Sequence, residues 1–486
     1  MFGRIKLNDM SKIPLVVDLD GTLVRTDMFY ESVLQTKKIS WKSLVELLSA
    51  MSNGRASVKE FFAKGFEFDS SNLPYRKEVL SLIESRRLAG DPIILATAAA
   101  GKTALRICSE TGLFDSSLSS DSRTNLSGSK KAEALIKLYG YKGFDYVGDS
   151  SKDVPVWEAS RRSYLVGGSF WSKRTFLRIG SGEQLRESRD VSNLKNWFRA
   201  LRIHQWVKNC LVFVPAIAAQ RIFEAEVAVN LIMAFVVFGV LASAVYLIND
   251  IVDIQNDRSH ATKKLRPIAN GDISISKAMI VAFVLICVAG LLSTALPGAF
   301  SLALLAYFAL TTSYSVWLKK ILVVDVVTLS ALYSLRLGAG GLAVSIPVSS
   351  WLLAVSFFLF ISLSFVKRSS ELTQSSKVHG VLSKGRAYLP QDLQIVNALG
   401  VSSGLISAVV FALYLDSQTA NNLYESSFVL WAALPILVFW VSWIWIQAGR
   451  GQVNEDPIAF ALKDRVSLAS GALIFLVFLV AQSGML

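Results

Sequence analysis

At 486 residues the chain is long enough for more than one domain, and at 52% hydrophobic residues it is too apolar to be a soluble enzyme throughout. A net charge of +13 does not point to nucleic acid, because no basic stripe is interleaved with aromatics; bases beside apolar spans suit anionic lipid headgroups instead. Cys108, Cys210 and Cys287 are scattered and support neither a disulfide framework nor a zinc site.

The first residues, Met1 to Lys6, lead into a polar stretch and show no cleavable signal peptide, so a domain that follows them is expected in the cytoplasm. The run Leu15-Val16-Val17-Asp18-Leu19-Asp20-Gly21-Thr22 reads as a buried strand ending in two carboxylates and a glycine turn. Asp18 and Asp20 can converge at the carboxyl edge of a sheet, where open α/β folds bind ligands, and they suit the roles of nucleophile and proton donor. An acidic turn after a strand is common, so the pair alone is weak. A second apolar strand ends at Thr97, Lys131 opens a helical stretch to Tyr139, and a third strand, Phe144 to Val147, runs into Gly148-Asp149-Ser150-Ser151-Lys152-Asp153.

This ordered set resembles the haloacid-dehalogenase (HAD) superfamily of phosphohydrolases over residues 10–175. The resemblance implies that Asp18 forms an aspartyl-phosphate, Asp20 shuttles the proton, and Thr97 and Lys131 hold the phosphoryl oxygens. It also implies a Mg2+ site on Asp18, Asp20, Asp149 and Asp153, and a small helical cap from about Met28 to Pro74. Lys130, next to Lys131, is an alternative for the functional lysine. A domain kept only for folding or docking is the competing reading.

Residues 179–198 are polar and suit a linker, and Arg199, Arg202, His204, Trp206 and Lys208 read as a basic, aromatic entry into a bilayer. Beyond them, windows of about 20 mostly apolar residues recur, near 207–220, 226–249, 277–295, 299–317, 322–344, 350–366, 394–415, 426–448 and 466–484. The intervening loops alternate in Lys and Arg content. One set carries Arg258, Lys263, Lys264, Arg266, Lys319, Lys320, Lys367, Arg368, Lys377, Lys384, Arg386, Arg450, Lys463 and Arg465, and the other set only Arg221. The positive-inside rule makes the basic set cytoplasmic, and an odd number of spans puts Leu486 outside. The expected architecture is an α/β Rossmann-like domain over 1–178, a linker over 179–198, and an all-α bundle over 199–486, multi-pass in the plasma (inner) membrane.

At about 100° per residue, Asn249, Asp250, Asp253 and Asp257 fall on one helix face. Oxygen-only ligands favour magnesium or calcium, and Lys263, Lys264 and Arg266 follow at once, a combination suited to a metal-bridged phosphate. A solvated acidic loop is the bland alternative. The acids begin while the helix is still apolar, where ionisable groups are costly without a partner.

This segment resembles the UbiA superfamily of membrane prenyltransferases, with Asn-x-x-x-Asp-x-x-x-Asp as Asn249, Asp253 and Asp257, and the similarity spans 195–486. Within it, the polyprenyl-phosphate (decaprenyl-phosphate) phosphoribosyltransferases are the nearer match. The resembling stretches include Leu201-Arg202-x-His204-Gln205-Trp206-Val207-Lys208-Asn209, Ser243 to Asp250, Lys264-x-Arg266-Pro267-Ile268-Ala269, Leu335-Arg336-x-Gly338-Ala339-Gly340-Gly341 and Asp456-Pro457-Ile458-Ala459. Aromatic prenyltransferases carry a second aspartate-rich motif where this chain has Lys367-Arg368-x-x-Glu371, a departure that suits a substrate with further phosphates. The implied reaction joins 5-phosphoribosyl 1-diphosphate to a polyprenyl phosphate with Mg2+ on Asn249, Asp250, Asp253 and Asp257. Lys263, Lys264 and Arg266 are candidates for the diphosphate, and Lys367 and Arg368 for the 5-phosphate or lipid phosphate. Lys208, Tyr314 and Lys319 are further substrate contacts, and Asp325 a candidate or a helix-packing partner. An aromatic prenyltransferase and a non-catalytic lipid transporter with an accessory phosphatase are the rival functions; a homo-oligomer is compatible with each.

Overall fold

The structure is a computed structural model that describes residues 12–35, 41–52, 55–64, 68–121, 124–180, 182–185, 193–260, 262–377, 387–453 and 456–483. The Met1 to Lys6 segment, parts of the expected cap and linker, Lys384, Arg386 and Leu486 lie outside them. Contacts divide the chain into two compact units, one of Met1–Ala200 with Asp250–Ile280 and one of Leu201–Asn249 with Val281–Leu486.

The first unit is built on a parallel sheet of six strands, β1 (Leu15–Val17), β2 (Ile93–Ala100), β3 (Ser116–Ser120), β4 (Asp145–Gly148), β5 (Ser163–Val166) and β6 (Gly182–Leu185), in the order β3-β2-β1-β4-β5-β6. Strands buried on both faces read as unbroken apolar runs, which is why Leu15-Val16-Val17 shows no alternation. Alternate side chains still serve opposite faces. Leu15 and Val17 pack with Ile93, Leu95 and Ile107 on one side, and Val16 packs with Ile94, Leu135 and Trp157 on the other. The order reverses at β1, which pairs with β2 through Val16↔Ile94 and with β4 through Val16↔Tyr146, so their carboxyl ends open on one crevice. The helices Met28–Gln35, Trp41–Ser52 and Arg55–Lys64 occupy the region expected as a cap, and β6 falls within the stretch expected as linker.

Among the described residues, eight helices are long and apolar enough to cross a membrane: Ala225–Val252, Ile275–Ser293, Gly298–Val316, Val324–Ala343, Ser350–Thr373, Pro390–Leu415, Ser427–Gly449 and Arg465–Ser483. The chain is a multi-pass membrane protein with an N-terminal α/β domain. Among the described residues the stretch expected as the first span is different: Ile203–Phe213 is a 3-10 segment, followed by the five-residue helix Val214–Ala218. Its irregular backbone is held inside the second unit rather than facing lipid alone, because Gly340 brings the helix Val324–Ala343 against it. A Cβ at Gly340 would stand 2.0 Å from the Val212 carbonyl oxygen.

Candidate active site

The crevice between β1, β2 and β4 gathers the residues expected there. Asp18 follows β1, Thr97 lies in β2, and Asp149 follows β4. The helix Ser129–Tyr139 brings Lys131 beneath them, 3% exposed, whereas Lys130 points to solvent. Lys131 Nζ donates to Asp18 Oδ1 at 2.9 Å and to the Tyr146 hydroxyl at 3.0 Å, and Tyr146 donates to Asp153 Oδ1 at 2.7 Å. Asp153 Oδ2 in turn accepts from the backbone N–H and hydroxyl of Ser150, both at 3.1 Å. Thr97, fully buried, accepts from the Ala99 N–H at 3.0 Å.

Asp18, Asp149 and Asp153 bring carboxylate oxygens within 4.8 Å of one another. Burial raises Asp18 to about 6, with Lys131 opposing and Asp153 reinforcing, and burial with Asp153 and Asp18 raises Asp149 to about 7. Lys131 is itself held above its ordinary value: burial works against its charge, but Asp18 and Asp153 outweigh it. Lys131, with Arg76 acting on Asp149, leaves the three acids short of positive charge, and an all-oxygen donor set of this kind fits a magnesium ion. Asp20 is not one of the three. Its Oδ1 accepts from the Met28 N–H at 2.8 Å, and burial, then Asp27, pushes its carboxyl well above the usual range, so it is suited to carry a proton. Beside it a pocket with about 250 Å³ of empty space is lined by Met28, Phe29, Ser32, Lys59, Ala99 and Thr103, among others.

The second aspartate cluster is arranged differently from a continuous helix face. The helix Ala225–Val252 carries Asn249 and Asp250, Asp253 lies in a turn, and a separate helix, Ile254–Ser259, carries Asp257. Arg266 Nη1 bridges Asp250 Oδ1 at 3.2 Å and Asp257 Oδ2 at 2.6 Å. Among the described residues these acids do not form a close three-carboxylate set like that at Asp18; Asp250 and Asp257 are paired with Arg266 instead. Asp250 and Asp257 are buried oxygen donors, a type of ligand that suits magnesium. Burial raises Asp257, with Arg266 opposing. Lys263 and Lys264 are exposed beside it.

In the second unit, Arg368 is fully enclosed rather than presented to a ligand. Its Nε lies 2.6 Å from Asp325 Oδ2, it pairs with Glu371, and Nη2 donates to Tyr314 at 3.1 Å. Tyr388 donates to the other Asp325 oxygen at 2.9 Å. Arg368, Asp325 and Tyr314 thus form a packing network. Lys367 lines a pocket with about 210 Å³ of empty space together with Tyr333, Ser364, Pro457 and others. Lys208 pairs with Asp456, whose other oxygen caps the helix Pro457–Ala461 by accepting from the Ile458 N–H at 3.0 Å. Lys319 sits half-buried on the short turn Leu318–Lys320. Sequence reasoning missed Tyr146 and Ser150. The signal available for Tyr146 was a hydroxyl inside a strand otherwise fully buried, where such a group needs a partner.

The chain is 34% identical over 97% of its length, and 91% of the relative's, to the uncharacterized protein y4nM of Sinorhizobium fredii. It is 32% identical over 55% of its length, and 88% of the relative's, to the decaprenyl-phosphate phosphoribosyltransferase of Mycobacterium tuberculosis. A HAD family hydrolase from Salmonella enterica serovar Typhi, 11% identical, aligns with 36% of the chain and 68% of its own at a TM-score of 0.27. The sequence model of the UbiA prenyltransferase family matches residues 210–482, and the chain belongs to that family.

Proposed function

We propose that the protein transfers a 5-phosphoribosyl group from 5-phosphoribosyl 1-diphosphate to a polyprenyl phosphate, releasing diphosphate, and then removes the 5-phosphate at the Asp18 site. The observation that carries this reading is the Asp18, Lys131, Asp149 and Asp153 constellation in one chain with a UbiA-family domain similar to decaprenyl-phosphate phosphoribosyltransferases. Transfer of an isoprenoid to a ring leaves no phosphate monoester to hydrolyse; transfer of a 5-phosphoribosyl group does.

In the transfer step the C1–O bond to diphosphate breaks and a bond from C1 to a lipid phosphate oxygen forms. The acceptor is already an anion and needs no strong base. Arg266, leaving Asp250 and Asp257, and the exposed Lys263 and Lys264 receive the diphosphate. Lys367 and Lys208 attract the second phosphate-bearing substrate. In the hydrolytic step both described hydrogen bonds to Asp18 reach Oδ1, from Leu19 N–H and Lys131, which leaves Oδ2 to attack phosphorus. Asp20 gives its proton to the departing O5 and then takes one from the water that cleaves the aspartyl-phosphate. Thr97 and Lys131 steady the phosphoryl oxygens. Magnesium, when held by Asp18, Asp149 and Asp153 and by Asn249, Asp250, Asp253 and Asp257, supplies charge neutralisation of the reacting phosphates.

The proposed domains are a phosphatase over 1–178, a connection over 179–198 and a transferase over 199–486, with the N-terminal domain and the basic loops on the cytoplasmic side of the plasma membrane. Purified protein given 5-phosphoribosyl 1-diphosphate, Mg2+ and polyprenyl phosphate is expected to release diphosphate and then inorganic phosphate. The lipid product, followed by mass spectrometry, gains a phosphoribosyl group and then loses the 5-phosphate to leave a ribosyl group. Turnover of an allylic diphosphate with an aromatic acceptor, and none with 5-phosphoribosyl 1-diphosphate, overturns the proposal.

A further inference from the structure

Within the first unit the loop and helix that follow Asp20 are joined to the segment that follows Asp250 by a buried ion pair. Glu31 lies on the helix Met28–Gln35 and is fully buried, and Arg258 lies on Ile254–Ser259, 6% exposed. Arg258 Nη2 donates to Glu31 Oε1 at 2.6 Å, and Thr26 Oγ1 donates to the same oxygen at 2.7 Å. Gln255 Nε2 donates to Glu31 Oε2 at 3.0 Å, and Arg258 Nε donates to the Ala269 carbonyl at 3.0 Å.

A second contact runs parallel to the first. Arg25 Nη1 meets Asp272 Oδ1 at 3.2 Å, and Gly271, at φ +76°, lets the two backbones close. A Cβ at Gly271 would stand 2.5 Å from the Arg25 Cβ. The Glu31–Arg258 pair is closed to solvent, whereas Arg25 and Asp272 keep 14% and 16% side-chain exposure. A carboxylate taken wholly out of water is retained only when its partners are fixed, and here three side chains fix it.

The placement of the pair gives it consequence. Glu31 is three residues beyond Met28, whose N–H holds the Asp20 carboxylate, and Arg258 directly follows Asp257, which Arg266 grips. Neither Glu31 nor Arg258 belongs to either set of reacting groups. We infer that Glu31 and Arg258 are positioning residues that set the Asp20 proton donor and the Asp257 diphosphate-binding turn together, so that neither site is correctly formed without the pair. The inference rests on the function proposed above for the meaning of the two sites, but its structural content concerns magnesium-diphosphate affinity and phosphomonoester cleavage separately.

The test uses the full chain in lipid nanodiscs and four variants: Glu31→Gln, Arg258→Met, the double variant and Arg258→Lys. A single replacement strands a buried charge and is expected to weaken folding; the double variant removes both charges and is expected to fold. Binding of inorganic diphosphate with Mg2+ is followed by calorimetry, cleavage of a small aryl phosphate by colour, and donor turnover by diphosphate release. In the folded double variant, diphosphate affinity is expected to fall and the donor KM to rise by roughly tenfold, with kcat for the aryl phosphate falling comparably. Arg258→Lys, which keeps a cation, is expected to recover part of both. A folded double variant with unchanged diphosphate affinity and unchanged aryl phosphate cleavage overturns the inference. Failure of the wild-type chain to turn over 5-phosphoribosyl 1-diphosphate, with the calorimetric loss still present, overturns the proposed reaction and not the positioning role.

Discussion

Lys131 donates a 2.9 Å hydrogen bond to Asp18 from a position almost wholly removed from solvent, one residue along from an exposed lysine. An ammonium in that position does two things: it holds Asp18 Oδ1, and it is the one described cation in direct ion contact with Asp18 and Asp153.

Lys131→Met is therefore expected to reduce phosphate release from an aryl phosphate by about 10² or more, as expected on removing a preorganised charge from a reacting phosphoryl group. Lys130→Ala is expected to stay within about twofold of wild type, as an exposed substitution. Parallel initial-rate assays of the two variants separate them, and equal losses would show that the buried lysine has no special role.

Proton uptake at the acid cluster gives a pH dependence with a definite sign. Asp18 and Asp149 stand at about 6 and about 7, above their ordinary 3.8, so the metal-free folded state binds protons more tightly than the unfolded chain. The stability they contribute is complete below about pH 4 and is lost as pH rises through 6 to 7. Metal-free protein is expected to melt lower at pH 8 than at pH 5. Added Mg2+, which needs the ionised acids, is expected to raise the melting temperature more at pH 8. Melting curves at both pH values with and without Mg2+ check this, and Mg2+ affinity should climb across the same interval.

Arg266→Ala leaves Asp250 and Asp257 without the guanidinium that bridges them. Diphosphate affinity is expected to drop by roughly tenfold or more as a charge-assisted contact is lost. The Asp257 carboxyl, already raised by burial, is expected to rise further. Calorimetric titration with Mg2+ and inorganic diphosphate measures the first effect. An unchanged affinity would mean that Arg266 serves only to neutralise its two aspartates.

Arg368 and Lys367 are adjacent but are expected to fail in different ways. Arg368→Met strands Asp325 in a fully buried setting and is expected to cost about 3 kcal/mol or more, lowering the melting temperature and the folded yield. Lys367→Ala is expected to leave melting nearly unchanged and to raise KM for a phosphate-bearing substrate. Melting and steady-state kinetics of the two variants, read together, distinguish a packing cation from a binding one.

Much of the organisation was legible in the sequence because it follows from local spacing and hydropathy. The polar-to-apolar change near residue 205, the strand that stops just before Asp18 and the glycine-aspartate turn after Val147 are short-range patterns, whereas the second strand, expected to end at Thr97, runs on to Ala100. The run Asn249 to Asp257 was legible as a cluster of oxygen donors for the same reason, but not as the broken turn that it is. A 3.6-residue period predicts a shared face only while the helix continues, and this one stops at Asp253. The first expected span missed its form in the same way, since apolar content says nothing of the 3-10 backbone that Gly340 accommodates.

By itself, then, the sequence determined that an α/β domain precedes a membrane bundle, and the order of the acidic residues along the two. The tertiary structure alone decided which lysine is the buried one, that Tyr146 and Ser150 complete the Asp153 network, that Arg368 turns inward while Lys367 faces a pocket, and that Glu31 meets Arg258 227 residues further along the chain. Each of these depends on which distant side chain arrives opposite a given position. Burial and charge pairing select that partner through the low dielectric of the interior, and sequence spacing carries no record of it.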